Sequence, residues 1–318
     1  MKFKHLVEYG LMRTVLFPFT FLPVSIVDLC SSALGWIIWV ICPFRINVVY
    51  SNLATIFPDM VRSKKLKLTR EVFLEAGRTA GRVFILHRKP LARLIEEADV
   101  RGLDVLDRAL AKGKGVILTT SHGNWLEAYL AWFNRLQRPS TLIYQQQKNP
   151  LADAFFRRQR QRHGNFLEHL QSKAGMERFE QALAEKRVLI VCIDQSYKRR
   201  GVEVPFFNRP FKCAKGTSVL HMRTGAPVLT SFYYMEKGRL CIEFDEVKVP
   251  AFAQIDEKSI TDISATVLRW YEPYVKKYPE QWFGLFHRLW SKSGYPAKVP
   301  RTAKEIFSSE KSSPLPPE

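Results

Sequence analysis

A histidine and a glutamate five residues apart follow one apolar run of the sequence. Residues 116–119 read as a buried strand, and His122 and Glu127 come shortly after it. Asn124 is a candidate N-cap for the next helix, which places Glu127 in the first helical turn. His122 is therefore expected at the carboxyl end of a strand, where open α/β sheets bind their ligands. A carboxylate this close can hold an imidazole in one tautomer and stabilise its protonated form, as a general base requires.

The same residues also have a purely structural interpretation. A histidine at a strand end can cap the chain, and a glutamate in a first helical turn is favoured by the helix dipole. Histidine and glutamate at this spacing are common, so the spacing alone favours the structural interpretation over the catalytic one.

Polar and charged residues also follow two other predicted strands. After the strand at residues 140–146, Asn149 opens a helix. That helix is rich in arginine: Arg157, Arg158, Arg160 and Arg162. The buried strand at residues 187–194 ends in Asp194 and Gln195. Guanidinium groups suit bidentate phosphate recognition, although an arginine run is also typical of a solvated helix face. Arg162 is the best single candidate for a functional arginine.

The alternation of apolar strands and amphipathic helices predicts an α/β fold. We expect a single mixed central sheet flanked by helices, in which residues 228–235 and 239–247 pair across a turn. The chain has 318 residues, enough for one such domain at residues 45–290. We expect a membrane anchor at residues 1–44 and a disordered tail, rich in Lys, Ser and Pro, at residues 291–318.

Composition limits the class of partner. The formal net charge is +19, which favours an anionic partner: nucleic acid, an anionic membrane surface or phosphorylated substrates. The five cysteines are scattered without a Cys-x-x-Cys pair, which indicates reduced cysteines in the cytosol. No zinc pattern occurs, and neither a metal nor a cofactor is expected.

Residues 11–44 are strongly apolar and aromatic. A membrane helix needs about 20 apolar residues, a length that this segment reaches only if the region of Pro23 or Asp28 is included. It can therefore span the bilayer or lie partly in the interface, and a pair of buried core helices is the alternative. The basic residues that follow, which include Arg45 and Lys64, favour the membrane and predict a cytoplasmic location for the next domain.

Several ordered motifs resemble the bacterial late acyltransferases of lipid A biosynthesis, within the glycerolipid acyltransferases that carry a His-x4-Asp/Glu motif. His122, the Gly123-Asn124-Trp125 element and Glu127 supply the central motif. One residue that usually separates the histidine from this element is absent, and Leu126 is added after it. The resemblance extends over nearly all of residues 10–290. The other matching elements are residues 45–58, 149–151, 194–195, 201–210, 223–227 and 279–288.

The resemblance implies an acyl-acyl carrier protein or acyl-CoA donor and an anionic, phosphorylated lipid A precursor as acceptor, at the cytoplasmic face of the inner membrane. It points to Asn124, Asn149, Arg160, Arg162, Asp194 and Gln195 as substrate-binding residues. Phe206 and Phe207 are expected to form a wall for the acyl chain, because aromatic side chains provide apolar surface. A loop tip adds candidates for phosphate or carrier-protein contacts: Lys198, Arg199 and Arg200.

Acyl transfer to a hydroxyl needs a base and stabilisation of an oxyanion. The sequence has no Gly-x-Ser-x-Gly elbow, and no local signature pairs a cysteine with a histidine. We therefore expect direct attack by a lipid hydroxyl, with His122 as general base oriented by Glu127.

Two other functions fit parts of the sequence. Acylation of another glycolipid or of a lysophospholipid needs the same chemistry. A membrane-anchored nucleic-acid-binding protein would explain the charge, but the sequence shows none of the common binding modules and its basic residues are spread over many segments, so no nucleic-acid partner is expected.

Overall fold

A computed structural model of the chain describes residues 2–197 and 201–290. Within these residues the sheet order is β1-β9-β8-β2-β5-β3-β4. The strands of this sheet are β1 (Asp99–Arg101), β2 (Val116–Thr120), β3 (Ser140–Tyr144), β4 (Leu167–Gln171), β5 (Val188–Cys192), β8 (Val228–Glu236) and β9 (Arg239–Glu246). The β8–β9 hairpin is antiparallel and the other pairs are parallel. The predicted mixed α/β sheet is confirmed.

Helices flank the sheet on both faces, and further helices precede β1 and follow β9 in the chain. They are α1 (Phe3–Leu16), α2 (Val24–Ile41), α3 (Pro43–Ile56), α4 (Arg62–Val83), α5 (Lys89–Glu96), α6 (Leu103–Ala111), α7 (Leu126–Arg135), α8 (Pro150–Gln161), α9 (Met176–Ala184), α10 (Gly216–Thr224) and α11 (Glu257–Lys277). Short 3-10 helices occur at Pro18–Thr20, Pro279–Gln281 and Phe283–Phe286. Two apolar clusters, one on each face of the sheet, form the core.

Residues 202–213 form a hairpin that the sequence analysis did not predict. Its strands, β6 (Val202–Phe206) and β7 (Arg209–Cys213), are antiparallel and separate from the main sheet. Its turn places Phe207 and Asn208 at positive φ. Alternate residues of β6 are buried, so the hairpin covers part of the core with one face. Two edge strands, β1 and β4, were also missed, because neither carries a clear apolar run.

Helix α2 is the one helix of the described residues that is long and apolar enough to cross a membrane, by length and composition only. Its buried face repeats every four residues: Val27, Ser31, Gly35 and Trp39. This face packs against α4 at a very short distance, since a Cβ on Gly35 would collide with the carbonyl oxygen of Phe73. A Cβ on Gly77 would collide with the carbonyl oxygen of Ser31. Small residues on both helices therefore permit the contact.

An ion pair joins α2 and α4 near the start of α2. Asp28 of α2 accepts hydrogen bonds from Arg82 of α4 at 2.6 Å (Nε to Oδ1) and 2.5 Å (Nη2 to Oδ2). Both side chains are about four-fifths buried, at 19% and 21% exposure. The guanidinium also lies over the ring of Trp125, 5.2 Å from its centroid. The candidate anchor helix is thus joined to the α/β domain through α4.

We predict that Gly77→Ala destabilises the protein by roughly 1–3 kcal/mol, because the added methyl group overpacks the contact with Ser31. The matched control is Gly10→Ala in α1, where nothing lies within 4 Å of an added Cβ. That substitution should be neutral or stabilise by up to about 1 kcal/mol through helix propensity. Denaturant unfolding of both variants in the same detergent measures the difference. Equal free energies of unfolding for the two variants would contradict this packing.

Candidate active site

The register of two parallel strands brings His122 and Asp194 together. Strands β2 and β5 are neighbours, and Thr120 lies opposite Cys192 at their carboxyl ends. His122 and Asp194 each follow two residues later, on the same edge of the sheet. The His122 Nδ1 and Asp194 Oδ1 atoms are 2.6 Å apart. The backbone N–H of His122 also donates to Asp194 Oδ2 at 2.8 Å, so the carboxylate fixes both the main chain and the ring.

Asp194 is buried, with 1% of its side chain exposed, and its negative charge is compensated locally. Trp282 Nε1 donates a third hydrogen bond, 2.6 Å from Oδ2. Burial alone would raise the pKa of the carboxyl, but the charge and hydrogen bonds of His122 and the bond from Trp282 hold it below its usual range. Asp194 therefore stays ionised and accepts the Nδ1 proton.

The pKa of the His122 imidazole is shifted in the opposite direction, upward. Burial disfavours its protonated form, but the Cys192 sulfur and the Asp194 carboxylate outweigh burial and raise its pKa well above the ordinary value. The side chain is 28% exposed. With Nδ1 held by Asp194, Nε2 is the nitrogen left to exchange a proton with a ligand.

Glu127 has a different partner from the one expected. Its two carboxylate oxygens accept hydrogen bonds from Arg160 Nε and Nη2, both at 2.7 Å. Glu127 lies in the first turn of α7, as predicted, but the prediction that it orients His122 by direct contact is wrong. The reason is geometric: the turn between β2 and α7 directs Glu127 toward α8, and Asp194 occupies the position beside the imidazole.

Arg160 is held in a buried network. Its Nη1 lies 2.9 Å from His169 Nε2 on β4. Burial and then the charge of Arg160 lower the pKa of His169 to about 4, so this imidazole is neutral and accepts the hydrogen bond. Arg160 therefore ties α7, α8 and the edge of the sheet together, and its charge is balanced by Glu127.

Arg162 and Asn149 lie at the two ends of α8. Asn149 caps the helix, accepting from Leu151 N at 3.1 Å, and its Nδ2 donates to the His5 carbonyl oxygen of α1 at 2.9 Å. Arg162 is exposed at the C-terminal end. Since α8 is about 18 Å long and leads back toward the start of β4, Arg162 lies near the opposite edge of the sheet from His122.

Asn124 and Gln195 make contacts with the C-terminal segment. Asn124 is not the N-cap that was predicted, because α7 starts later, after Trp125. Its Nδ2 donates to the carbonyl oxygen of Glu280 at 3.0 Å. Gln195 Nε2 lies 3.1 Å from His287 Nε2. Both side chains thus hold residues 279–288 against the turn that carries His122.

Phe206 and Phe207 are buried and pack against Trp282, at centroid distances of 6.1 and 6.3 Å. The hairpin therefore supports the indole that binds Asp194. Phe207 also borders a cavity of about 820 Å³, a volume typical of ligand sites. Other lining residues are Thr55, Ile56, Phe57, Lys65, Arg209 and Lys276.

Cys192, Trp282 and His287 belong to this site but were not predicted as site residues. Cys192 lies beside His122, and its Sγ is 3.9 Å from the Ser121 carbonyl oxygen. Burial and then the charge of His122 lower the pKa of His287. One feature of the sequence could have predicted the contact between His122 and Asp194, because each of them follows its apolar run at the same distance. The residues proposed at the loop tip, 198–200, and the tail at 291–318 lie outside the described residues.

Comparison with known proteins shows the family. The sequence model of the bacterial lipid A biosynthesis acyltransferase family matches residues 1–292. The chain belongs to this family. The resemblance seen in the sequence motifs is therefore confirmed over nearly the whole chain.

Individual relatives are more distant. Two proteins named phosphatidylinositol mannoside acyltransferase, from two strains of Mycobacterium tuberculosis, are 32% identical over 157 and 201 residues. These matches cover 48% and 58% of this chain and 48% and 60% of the relatives, so the chain spans about half to three fifths of their length. A lipid A biosynthesis acyltransferase of Haemophilus influenzae is 24% identical over 247 residues, which is 75% of this chain and 74% of that protein.

We predict that NMR titration of the folded protein gives His122 a pKa clearly above the ordinary value of about 6.5. Asp194→Asn should lower that pKa, because the amide removes the negative charge that stabilises the imidazolium. His169 serves as an internal control, since its pKa of about 4 depends on burial and Arg160 and should not change. An unchanged His122 pKa in Asp194→Asn would rule out the ion pair.

Proposed function

We propose that this protein is a membrane-associated O-acyltransferase that moves a fatty acyl chain from a thioester donor to a hydroxyl of a glycolipid. The observation that carries the proposal is the His122–Asp194 pair, in which a buried carboxylate holds Nδ1 at 2.6 Å and leaves Nε2 for the substrate. The membership in the acyltransferase family supports the same reaction class.

In the proposed step, Nε2 of neutral His122 takes the proton of the acceptor hydroxyl as its oxygen attacks the thioester carbonyl. The tetrahedral oxyanion then collapses, the carbon–sulfur bond breaks, and the imidazolium returns the proton to the thiolate that leaves. Asp194 stabilises the imidazolium and fixes its orientation. Because the pKa of His122 is raised, turnover should increase with pH until the imidazole is neutral.

For the donor we propose acyl-acyl carrier protein, with acyl-CoA as the alternative. The acceptor is a phosphorylated glycolipid, and a lipid A precursor is our first choice because of the family match. Phosphatidylinositol mannoside is the second choice, because two relatives bear that name. Mass spectrometry of lipids after incubation with each acceptor separates them. The site is proposed to face the cytoplasm at the inner membrane.

We propose that the acyl chain occupies the cavity beside Phe207. Residues 54–57 line one side of it and Phe207 lines another. The cavity and the catalytic pair are connected through one aromatic contact, because Phe207 packs on Trp282, which donates to Asp194. The expected role of Phe206 then becomes support, since its side chain is fully buried in the core.

We predict that His122→Ala abolishes transfer, because the base is lost. Asp194→Asn should reduce turnover by up to roughly 10⁴-fold, the loss seen when the orienting carboxylate of a Ser-His-Asp triad is replaced. Glu127→Gln should lose less, since Glu127 binds Arg160 rather than the imidazole. Steady-state assays on folded variants give the order. A larger loss for Glu127→Gln than for Asp194→Asn would reverse the assignment of the two carboxylates.

Cys192→Ala is the control for direct attack. Its sulfur lies beside His122, so an acyl-enzyme on Cys192 is the mechanism to exclude. Under direct attack, Cys192→Ala should keep turnover within about tenfold of the unmodified protein. Intact-protein mass spectrometry with donor alone should find no added acyl mass. Loss of activity in Cys192→Ala together with an acyl adduct on Cys192 in the unmodified protein would establish the covalent route instead.

We propose Arg45, in preference to Arg162, as the residue that binds the acceptor phosphate. Arg45 is exposed and donates to the Phe286 carbonyl oxygen at 2.8 Å, next to His287. We predict that Arg45→Gln raises the KM for the acceptor by roughly 10- to 150-fold, because a hydrogen bond to a charged group is worth roughly 1.5–3 kcal/mol. Arg162→Gln is the matched control and should leave that KM unchanged. A raised KM for the acceptor in Arg162→Gln, together with an unchanged KM in Arg45→Gln, would identify Arg162 as the phosphate ligand instead.

A further inference from the structure

The exposed surface of the N-terminal helices is apolar over a large area. On α2 the outer residues include Leu29, at 67% exposure, and Ile41, at 70%. The segment that precedes α2 continues the apolar surface with Phe17 and Phe21. Other exposed apolar residues of α1 and α2 are Phe3, Leu6, Val7, Leu11, Val15, Ile26, Leu34, Trp36, Ile37 and Ile38. A surface of this size marks a contact with protein or membrane.

The contact between α2 and α4 restricts how that surface can meet a membrane. The two helices run antiparallel, with Asp28 against Arg82 and Gly35 against Phe73. The buried positions of α2 extend from Val27 to Trp39, which is about 18 Å along the helix axis. Most of α2 therefore lies along α4.

Helix α4 is unsuited to the interior of a bilayer. Its charged residues are Arg62, Lys64, Lys65, Lys67, Arg70, Glu71, Glu75, Arg78 and Arg82. The side chain of Arg78 is 43% exposed even though it pairs with Glu75. The other side of α4 packs on the α/β domain, where Phe73 contacts Phe286 at a centroid distance of 4.9 Å. A bilayer crossed by docked α2 would have to take in both α4 and part of this domain, and charged side chains at the bilayer centre are strongly unfavourable.

We infer that α2 does not span the membrane but lies in one leaflet, parallel to its surface, with α4 on the side away from the lipid. The occupant of the apolar surface is then a single leaflet of anionic phospholipid. Charge complementarity supports this choice, because exposed cations that could reach anionic headgroups lie on α1 and on the two helices packed against α2. They are Lys2 and Lys4 before and on α1, Arg45 on α3, and Arg62, Lys64 and Lys67 on α4.

This arrangement also sets where lipid meets the active site. Helix α1 contacts Asn149, which follows β3 at the carboxyl edge of the sheet, the same edge that carries His122. Arg82, which binds Asp28 of α2, lies over Trp125 next to the catalytic turn. A glycolipid in that leaflet would therefore reach His122 laterally. The inference rests on the membrane association in the proposed function and specifies its geometry.

Sidedness of labelling tests the inference on the full chain. Lys4→Cys and Lys64→Cys place one thiol before α2 and one after it along the chain. Cys30 and Cys42 are replaced by alanine in both variants. A membrane-impermeant maleimide is applied to spheroplasts and to inside-out vesicles. An in-plane helix predicts that both positions react from the same side, whereas a spanning helix predicts reaction from opposite sides, which would overturn the inference.

Binding to vesicles of phosphatidylethanolamine and phosphatidylglycerol gives the second measurement. Leu29→Glu with Ile37→Glu should weaken binding by roughly tenfold or more, because inserted apolar side chains are lost. Ala184→Glu, at an exposed position on α9 rather than on α1 or α2, is the control and should bind normally. If the double variant binds as tightly as the control, this surface is not the contact with lipid.

The two measurements also separate this inference from the proposed reaction. Opposite-side labelling with intact acyl transfer would overturn only the in-plane geometry. Absence of acyl transfer in a protein that binds vesicles and labels from one side would leave the geometry intact and overturn the proposed function.

Discussion

The parallel pairing of β2 with β5 is the constraint on which the candidate active site depends. The two strands end at the same level, and His122 and Asp194 follow at equal distances, so their side chains meet without any irregular backbone. A shift of the pairing by one residue would turn one of the two side chains to the other face. The buried carboxylate also binds the backbone N–H of His122, which fixes the loop as well as the ring.

The C-terminal segment completes this arrangement from a distant part of the sequence. Trp282 donates to Asp194, its backbone pairs with Gly123 in an isolated bridge, and Phe283 N donates to the His122 carbonyl oxygen at 2.8 Å. The turn that carries His122 is therefore held from two sides, by Asp194 at the end of β5 and by residues 281–283. Packing of the β6–β7 hairpin on Trp282 extends this support into the core.

Two carboxylates near the site have different structural roles because they have different partners. Asp194 is aligned with an imidazole, so its charge acts on a proton that can move. Glu127 forms a two-point ion pair with an arginine, which has no proton to give up near neutral pH, so its charge holds helices together. Helix α4 adds a third connection, because it contacts the candidate anchor helix α2 on one side and Trp125 and Phe286 on the other.

The sequence by itself determined the family and those local elements that have a clear apolar pattern. Apolar periodicity and turn residues placed the strand before His122, the helix that carries Glu127 and the β8–β9 hairpin, because these depend on neighbouring residues. Only the tertiary structure decided which carboxylate binds His122, because Asp194 is 72 residues away and its position follows from strand order. The orientation inferred for α2 depends on tertiary structure for the same reason. An apolar run indicates a contact with lipid, but the direction of the helix follows from its packing on α4, which joins residues 54 apart.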